Sequence, residues 1–155
     1  AIVPGAPIVR AASPVRIDDP ALLCGKRVLV VEDGPTITHG GMAFGAGLTA
    51  LQSCRDVELV DPRVSATPEI ARVYAQYPHI ACVLPAIGYS DAQLAALRAT
   101  INASAAEVVL AATPVDLARL GGFDRPVVRA RYAYADAGMP TLAAVVMERL
   151  DASIR

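Results

Sequence analysis

A glycine-rich segment that follows an apolar strand holds the residues best suited to chemistry. Residues 28–31 are apolar, Glu32 and Asp33 follow them, and residues 34–47 lead into a segment with helical character. Glycine lets backbone N–H groups approach a ligand closely, and a helix N-terminus presents unpaired donors and a positive dipole. The pattern therefore predicts a cradle of backbone amides for negatively charged oxygens between Asp33 and Leu48, at the rim of a parallel sheet.

Two side chains of this segment are candidate catalytic residues. The imidazole of His39 can act as a general acid or donate to a phosphate, and the alternative is a loop histidine that only bonds backbone groups. Asp33 is a candidate base or metal ligand together with Glu32. The alternative for Asp33 is that it caps the turn at Gly34-Pro35.

Candidate phosphate ligands are glycines, polar side chains and guanidinium groups near the predicted strand ends. Arginine can clamp phosphate or carboxylate oxygens with two parallel hydrogen bonds, although each arginine can also be a surface or helix-capping residue. The predicted substrate- or phosphate-binding residues are Gly34, Thr36, Thr38, Gly40, Gly41, Arg63, Gly88, Thr113, Asp116, Arg119 and Arg129.

The glycine-rich segment matches two nucleotide-binding patterns only in part. Gly40 and Gly45 have the outer spacing of a Walker A loop, but Ala46 and Gly47 stand where its lysine and hydroxyl residue would be. Residues 45–50 match the dinucleotide pattern G-x-G-x-x-A, yet the strand ends well before Gly45, whereas that fingerprint directly follows its strand. This chain alone is not expected to hydrolyse ATP or GTP, and dinucleotide binding with Asp61 as the ribose acid is the weaker alternative.

Composition excludes several classes of function. A net charge of −1 and an aromatic content of 5% supply neither a basic field nor a stacking surface, so no nucleic-acid partner is predicted. Hydrophobic residues make up 54% of the chain, but no apolar run approaches the roughly 18 residues of a membrane helix. No membrane partner is therefore predicted. Since the first basic residue is Arg10, the N-terminus does not resemble a signal peptide, and a cytoplasmic location is expected.

The cysteines fit neither a disulfide framework nor the paired spacing of zinc sites. Cys24, Cys54 and Cys82 are odd in number and lie far apart in the sequence. The sequence therefore predicts buried, reduced, structural thiols and no metal site.

Short apolar runs alternate with helical patterns, which predicts an α/β fold: a three-layer αβα sandwich with a mostly parallel, Rossmann-like central sheet. The predicted strands are residues 8–12, 27–32, 56–61, 80–85, 107–112 and 127–132. The predicted helices are residues 21–23, 46–53, 68–77, 91–103, a helix that begins at Pro114, and 141–152. The last helix is expected to pack through Leu142, Val145, Val146, Arg149 and Leu150. Ligands of such sheets bind at the carboxyl ends of the strands.

Several segments in order resemble a known family. They are GKRVLVVEDGPTITHGGMAFGAG, VELVDPR, YPHIACVLPAIGYSDAQL, TINAS, ATPVDLARL and VVRARYAY. Together they resemble the C-terminal part of the predicted GTPases related to archaeal cyclic 2,3-diphosphoglycerate synthetase. Residues 33–47, 61–63 and 113–119 match the family's glycine loop, DPR and TPxDLxR motifs, respectively.

The resemblance implies a domain of a larger ligase, whose upstream region carries the nucleotide-binding P-loop and which uses ATP to close a phosphoanhydride in 2,3-diphosphoglycerate. Residues 1–15 would be the tail of that upstream domain, and residues 16–155 a single α/β domain. The implied cofactor is ATP or GTP with Mg²⁺, bound mainly by the upstream domain. The implied ligand of this domain is a small phosphorylated metabolite.

Two functional hypotheses follow. In the first, this domain holds a phosphorylated small molecule while the nucleotide domain delivers the phosphoryl group, and catalysis consists mostly of positioning and charge stabilisation. In the second, the domain is a non-catalytic structural or dimerisation module. The second hypothesis is motivated by the apolar composition and by the lack of a complete catalytic constellation, and it predicts a homodimer.

Overall fold

A computed structural model describes residues 5–88 and 90–154, with the side chain of Ile154 outside that description. The described chain divides into two compact units: a larger one of Val15–Arg131, and a smaller one formed by residues up to Pro14 together with those from Tyr132 onward. Tyr89, in one of the segments of the family resemblance, and residues 1–4 of the predicted tail lie outside the described residues.

The described residues form short strands and helices in alternation. The strands are β1 (Ala11–Ala12), β2 (Val15–Ile17), β3 (Arg27–Asp33), β4 (Glu58–Leu59), β5 (Leu84–Ala86), β6 (Val108–Ala112), β7 (Val127–Tyr132) and β8 (Ala135–Asp136). The α-helices are α1 (Gly34–Thr38), α2 (Ala46–Leu51), α3 (Pro68–Gln76), α4 (Asp91–Ala103), α5 (Leu117–Leu120) and α6 (Leu142–Ile154), and 3₁₀ turns cover Pro20–Leu23 and Pro62–Ser65.

The larger unit is built on a mostly parallel sheet in which β3 is central. The strand order is β2-β7-β6-β3-β4, with β5 also paired to β3. Strand β6 pairs in parallel along Val28–Glu32 of β3, so the two short strands share the other edge: β4 pairs with the start of β3, and β5 pairs with its end. The pairing of β6 with β7 is parallel as well.

Burial explains why helices flank this sheet. Val28, Leu29, Val30 and Val31 are fully buried although their side chains alternate between the two faces of β3. Both faces must therefore be covered, as expected for parallel strands. Helix α2 contacts β3 and β6, and α3 contacts α4. The predicted α/β class, with a central mostly parallel sheet between helices, is confirmed and is compatible with a three-layer sandwich.

Helix α2 lies unusually close to the sheet. A Cβ on Gly47 would stand 2.8 Å from Cγ1 of Val30 and 2.9 Å from Cβ of Ala112. Real Cβ atoms do not approach carbon atoms that closely, because protein interiors are already close-packed. Gly47 therefore has a packing role between α2 and the two central strands.

Local side-chain bonds fix the starts of the longer helices. The side chain of Thr67 accepts from the amide of Ile70 at the start of α3, and that of Ser90 accepts from the amide of Gln93 at the start of α4. These are the cap residues that helix N-termini favour. Ser90 is thus the N-cap residue of α4.

The structure corrects several predicted boundaries. The strands predicted over residues 8–12 and 80–85 are reduced to β1 and β5, and the helix predicted to begin at Pro114 begins at Leu117. Residues 34–38, expected to be loop, form α1, since Pro35 suits the first helical turn. The predicted strand over residues 56–61 shrinks to β4. Asp56 has a positive φ of 55°, and the side chain of Asp61 caps the next 3₁₀ turn by accepting from the amide of Arg63. Both flanks of the predicted strand are therefore turns.

The smaller unit contains the antiparallel pair β1–β8 and helix α6. The predicted packing face of α6 is wrong: Leu142, Val146 and Leu150 are 44%, 46% and 52% exposed, and Arg149 is exposed too, whereas Val145 is half-buried. The two-residue strands β1 and β8 offer little apolar surface to cover a helix. No helix among the described residues is long and apolar enough to cross a bilayer.

The prediction of buried cysteines is also corrected. The thiols of all three are free, but Cys24 is exposed, while Cys54 and Cys82 are half-buried. Cys24 follows the 3₁₀ turn of Pro20–Leu23, whose buried residue is Leu23.

The close approach of α2 generates the first prediction. Gly47→Ala is expected to destabilise the protein by about 1–3 kcal/mol, because the added methyl must displace Val30 or Ala112. The measurement is the free energy of unfolding by urea titration.

The matched control is Gly88→Ala, since a Cβ there meets no atom within 4 Å. The control is expected to change the free energy of unfolding by less than about 1 kcal/mol. Equal losses in the two variants would contradict the packing role of Gly47.

Candidate functional site

The carboxyl ends of the central parallel strands meet at one edge of the sheet. The register places Asp33 of β3 opposite Ala86 of β5, and Glu32 opposite Ala112 of β6. The chain runs from β3 to β4 and β5 on one side, then returns to β6 on the other side. Such a reversal is the switch point at which open α/β sheets bind ligands.

A cavity of about 210 Å³ opens at this edge. Its polar lining includes Asp33, which ends β3, and Thr113, which follows β6. Its apolar lining is contributed mainly by Ile87, Leu94, Leu97, Val115, Leu117 and Leu120. A concave, mostly apolar site with a few polar groups is typical of small-molecule pockets.

The two acids that end β3 have different environments. Successive side chains of a strand point to opposite faces, so Glu32 and Asp33 diverge. Glu32 is 1% exposed, and its carboxylate oxygens accept from the amides of Gly47 at 3.1 Å and Leu48 at 2.8 Å. Asp33 is half-buried and lines the cavity. Of the two predicted acids, Glu32 therefore makes a structural contact, and Asp33 lies at the candidate site.

Burial governs the ionisation of Glu32. Loss of solvation raises the pKa of its carboxyl above the ordinary 4.5, while the hydrogen bonds from Leu48 and Gly47 oppose that rise. The charged form is the one that accepts two backbone N–H groups at the start of α2.

The predicted cradle of amides is corrected at this point. The amides of Gly47 and Leu48 are occupied by the protein's own carboxylate, and a Cβ on Gly45 would stand 2.8 Å from Oε2 of Glu32. Upstream, the amides of His39 and Gly40 both donate to the carbonyl of Pro35. Gly45 and Gly47, the two glycines of the dinucleotide pattern, are thus used for close internal packing.

Asp33 retains capacity to bind a ligand. One carboxylate oxygen, Oδ2, accepts from the hydroxyl of Thr36 at 2.8 Å. Asp33 stands at the N-cap position of α1, but its side chain makes no capping bond to a backbone amide, so the capping alternative is not supported. Among the described residues no cation forms an ion pair with Asp33.

The glycines and hydroxyls of the predicted site are distributed around α1 and the cavity. Gly34 lets α1 start against β5, because a Cβ there would collide with the carbonyl oxygen of Ala86. The hydroxyl of Thr38 donates to the carbonyl of Gly34 at 2.7 Å. Gly88 and Thr113 line the cavity, and Thr113 is buried with its hydroxyl accepting from the amide of Val115. Gly41 is exposed with a φ of 66°, which suits glycine.

His39 is not brought to the cavity. Its ring is exposed, lies 3.0 Å from the hydroxyl of Thr38 through Nδ1, and has its centroid 6.4 Å from the ring of Tyr77. It is not among the residues that line the cavity with Asp33. The structure therefore does not unite the two predicted catalytic residues in one site.

The predicted arginines do not converge either. Arg63 pairs with Asp61 at 3.2 Å, donates to the carbonyl of Ile80, and stacks over the ring of Tyr74 at 4.6 Å. Asp61, the acid of the dinucleotide alternative, is thereby engaged.

Arg129 pairs with Asp116 at 2.9 Å, and the side chain of Asp116 also caps α5 by accepting from the amide of Arg119. The Arg119 residue is exposed, and its guanidinium bonds to no described residue. The roles of these residues and of Arg63 as phosphate ligands stay predictions.

Sequence reasoning missed most of the cavity wall. Leu94 and Leu97 lie at helical spacing in α4, and Leu117 and Leu120 belong to the short helix α5. The signal that could have found them is their position in the helices that follow β5 and β6, but apolar periodicity does not distinguish a pocket wall from a core face.

Comparison with known proteins identifies a relative that covers nearly the whole chain. No family model matches, and no solved structure matches. The chain is 47% identical over 145 residues to Arginine synthetase ArcE of Thermococcus kodakarensis, an alignment that covers 94% of this chain and 32% of that protein. The chain thus spans about a third of the length of the curated relative it matches. The family named from the sequence motifs stays a prediction.

The buried carboxyl of Glu32 generates the second prediction. Above the ordinary pKa of 4.5 and up to the raised value, the native carboxyl binds more protons than the unfolded one. The contribution of Glu32 to the free energy of unfolding therefore falls as pH rises through that interval, and it is constant below and above it. We expect the difference in unfolding free energy, wild type minus Glu32→Gln, to decrease as pH rises from 4.5.

Urea titrations across this range provide the measurement, because Glu32→Gln keeps the side-chain size and removes the titration. The exposed, non-titrating change Gln52→Ala controls for general effects on stability. If this difference in unfolding free energy increased with pH, the amide hydrogen bonds and not burial would determine the pKa of Glu32.

Proposed function

We propose that this chain is a substrate-binding domain of a nucleotide-dependent synthetase with arginine as its product. The observation that carries the proposal is the 47% identity, along 94% of the chain, to a protein named an arginine synthetase. The chain corresponds to only 32% of that relative, so other domains supply the remaining functions.

The cavity at the carboxyl ends of β3, β5 and β6 is the proposed substrate site. It combines the position at which α/β sheets bind ligands with a half-buried carboxylate, Asp33, and a buried hydroxyl, Thr113. The apolar walls from α4 and α5 exclude water from a bound molecule. These groups bind and orient, and orientation of reactants is a large part of catalysis in transfer reactions.

The nucleotide is proposed to bind elsewhere in the complete protein. These residues contain no G-x-x-x-x-G-K-[ST] sequence, and the Gly40–Gly45 spacing lacks the lysine that contacts the β- and γ-phosphates. ATP or GTP with Mg²⁺ therefore belongs to another domain in this proposal. That domain would deliver its phosphoryl group to the carboxyl edge of the sheet, where Asp33 and Thr113 hold the acceptor.

The cyclic 2,3-diphosphoglycerate synthetase-like reaction is less favoured by the charges around this site. A ligand with several phosphates requires several free cations. Arg129 is paired with Asp116, Arg63 is paired with Asp61, and the cavity wall itself contributes a carboxylate. Arg119 is the exposed guanidinium that this alternative would have to recruit.

A non-catalytic dimerisation role is the second candidate function. It is favoured by one observation in the smaller unit: α6 exposes Leu142, Val146, Met147 and Leu150, which are 44–56% accessible. A strictly monomeric chain in light scattering would contradict this role without affecting the first proposal.

The third prediction tests the synthetase. Because a synthetase reaction is reversible, the full-length protein with L-arginine, inorganic phosphate and ADP or GDP is expected to form the nucleoside triphosphate. In that direction a guanidinium C–N bond of arginine breaks to give a ureido group and ammonia, and it takes up the water released when phosphate condenses with the diphosphate. Asp33→Asn is expected to lower that rate at least about tenfold, since it removes the charge that holds the substrate. Nucleoside triphosphate is measured enzymatically.

Asp19→Asn is the matched control, because Asp19 is exposed and its side chain makes no capping bond. Its rate is expected to equal that of the wild type. Failure of arginine to support triphosphate formation with either nucleotide would overturn the proposal, as would formation of a cyclic product from ATP and 2,3-diphosphoglycerate.

A further inference from the structure

The charge of the switch-point cavity is unbalanced. Among the described residues that line it, Asp33 is the charged one, and the others are apolar or neutral. Apolar walls exclude water and lower the local dielectric constant, which strengthens the attraction between a carboxylate and a cation. The cavity is therefore suited to a positively charged group rather than to an anion.

The neighbouring cations of the protein are engaged elsewhere. Arg129 is paired with Asp116 and also donates to the carbonyl of Pro114. Arg98, on α4, donates to the carbonyls of Leu120 and Gly121. Neither guanidinium reaches Asp33, so no described residue supplies the counterion.

The bonding of Asp33 leaves room for a ligand. Its Oδ2 accepts from the hydroxyl of Thr36, and Oδ1 accepts from no described residue. A carboxylate can accept up to about four hydrogen bonds. A guanidinium or ammonium group could thus donate to both oxygens while the Thr36 bond keeps the carboxylate oriented.

Size and shape restrict the rest of the ligand. The cavity volume of about 210 Å³ is below the range of about 300–1,000 Å³ that is typical of drug-sized ligands. Leu94, Leu97 and Leu117 provide walls for a short aliphatic stem. The lining thus combines one anionic group with a surface for methylene groups.

We propose that this cavity binds a small organic cation, a guanidinium or ammonium group on an aliphatic stem, with the charge at Asp33 and the stem against Leu94, Leu97 and Leu117. This inference rests on the proposed function in taking the cavity as the substrate site. It goes further in assigning the charge of the ligand and the residue that selects it.

The fourth prediction tests the charge of the ligand by calorimetric titration of the 155-residue chain. The probes are n-butylguanidinium, its neutral isostere n-butylurea, and inorganic phosphate. Butylguanidinium is expected to bind at least about tenfold more tightly than butylurea, and phosphate is expected not to compete with it. Asp33→Asn is expected to abolish this preference, whereas Asp19→Asn is expected to keep it.

A charge-reversal pair tests the same idea without altering Asp33. Val115 lines the cavity and is 51% exposed, so that it can be replaced without filling the core. At low salt, Val115→Glu is expected to tighten butylguanidinium binding and Val115→Lys to weaken it, each about threefold. This pair keeps the test informative if Asp33→Asn fails to fold.

The outcomes separate this inference from the proposed function. Equal binding of butylguanidinium and butylurea, absence of butylguanidinium binding, displacement of it by phosphate, or reversed effects of the Val115 pair would overturn the cation site. Arginine-dependent triphosphate synthesis by the full-length protein could still stand after that result. Conversely, cation binding by this chain without that synthesis supports the site and removes the proposed reaction.

Discussion

The buried carboxylate of Glu32 joins the end of β3 to the start of α2 through the amides of Gly47 and Leu48. A carboxylate without partners would be costly at 1% exposure, and a helix N-terminus without acceptors would also be costly. Each group satisfies the other. The glycines at 45 and 47 follow from this contact, because side chains there would collide with Glu32, Val30 or Ala112.

This contact also determines the chemistry of the opposite face. Once Glu32 points towards α2, the alternation of a strand directs Asp33 the other way, to the edge where β5 and β6 end. The carboxylate of Glu32 is hydrogen-bonded to backbone amides inside the protein, whereas the carboxylate of Asp33 has only the hydroxyl of Thr36 as a described partner. The available negative charge of the edge is consequently that of Asp33.

The distribution of positive charge also favours a cationic ligand at this edge over a phosphate. Arg63 and Arg129 each have an anionic partner within the protein, Asp61 and Asp116 respectively. A synthetase whose nucleotide is bound by another domain does not require this domain to bind phosphate. The arrangement is consistent with a division of labour in which this chain contributes the site for the acceptor and excludes water from it.

Local sequence patterns identified most of the elements. Apolar runs predicted β3, β6 and β7, and helical spacing predicted α3 and α4, because both periodicities depend on near neighbours. The glycine patterns did not distinguish a ligand site from a packing contact, because glycine is required both where a helix approaches a strand closely and where the backbone approaches a phosphate. The apolar face of α6 misled for a related reason: periodicity shows that a face is apolar but not that anything covers it.

By itself, the sequence determined the α/β class, the sheet-edge position of Glu32 and Asp33, and the absence of a complete P-loop motif in these residues. Only the tertiary structure decided that Glu32 occupies the helix amides, that Asp33 faces a cavity walled by α4 and α5, and that Arg129 is paired with Asp116. These outcomes depend on strand register and on contacts between segments far apart in the chain. Parallel pairing across long connections sets those contacts, and no local pattern encodes them.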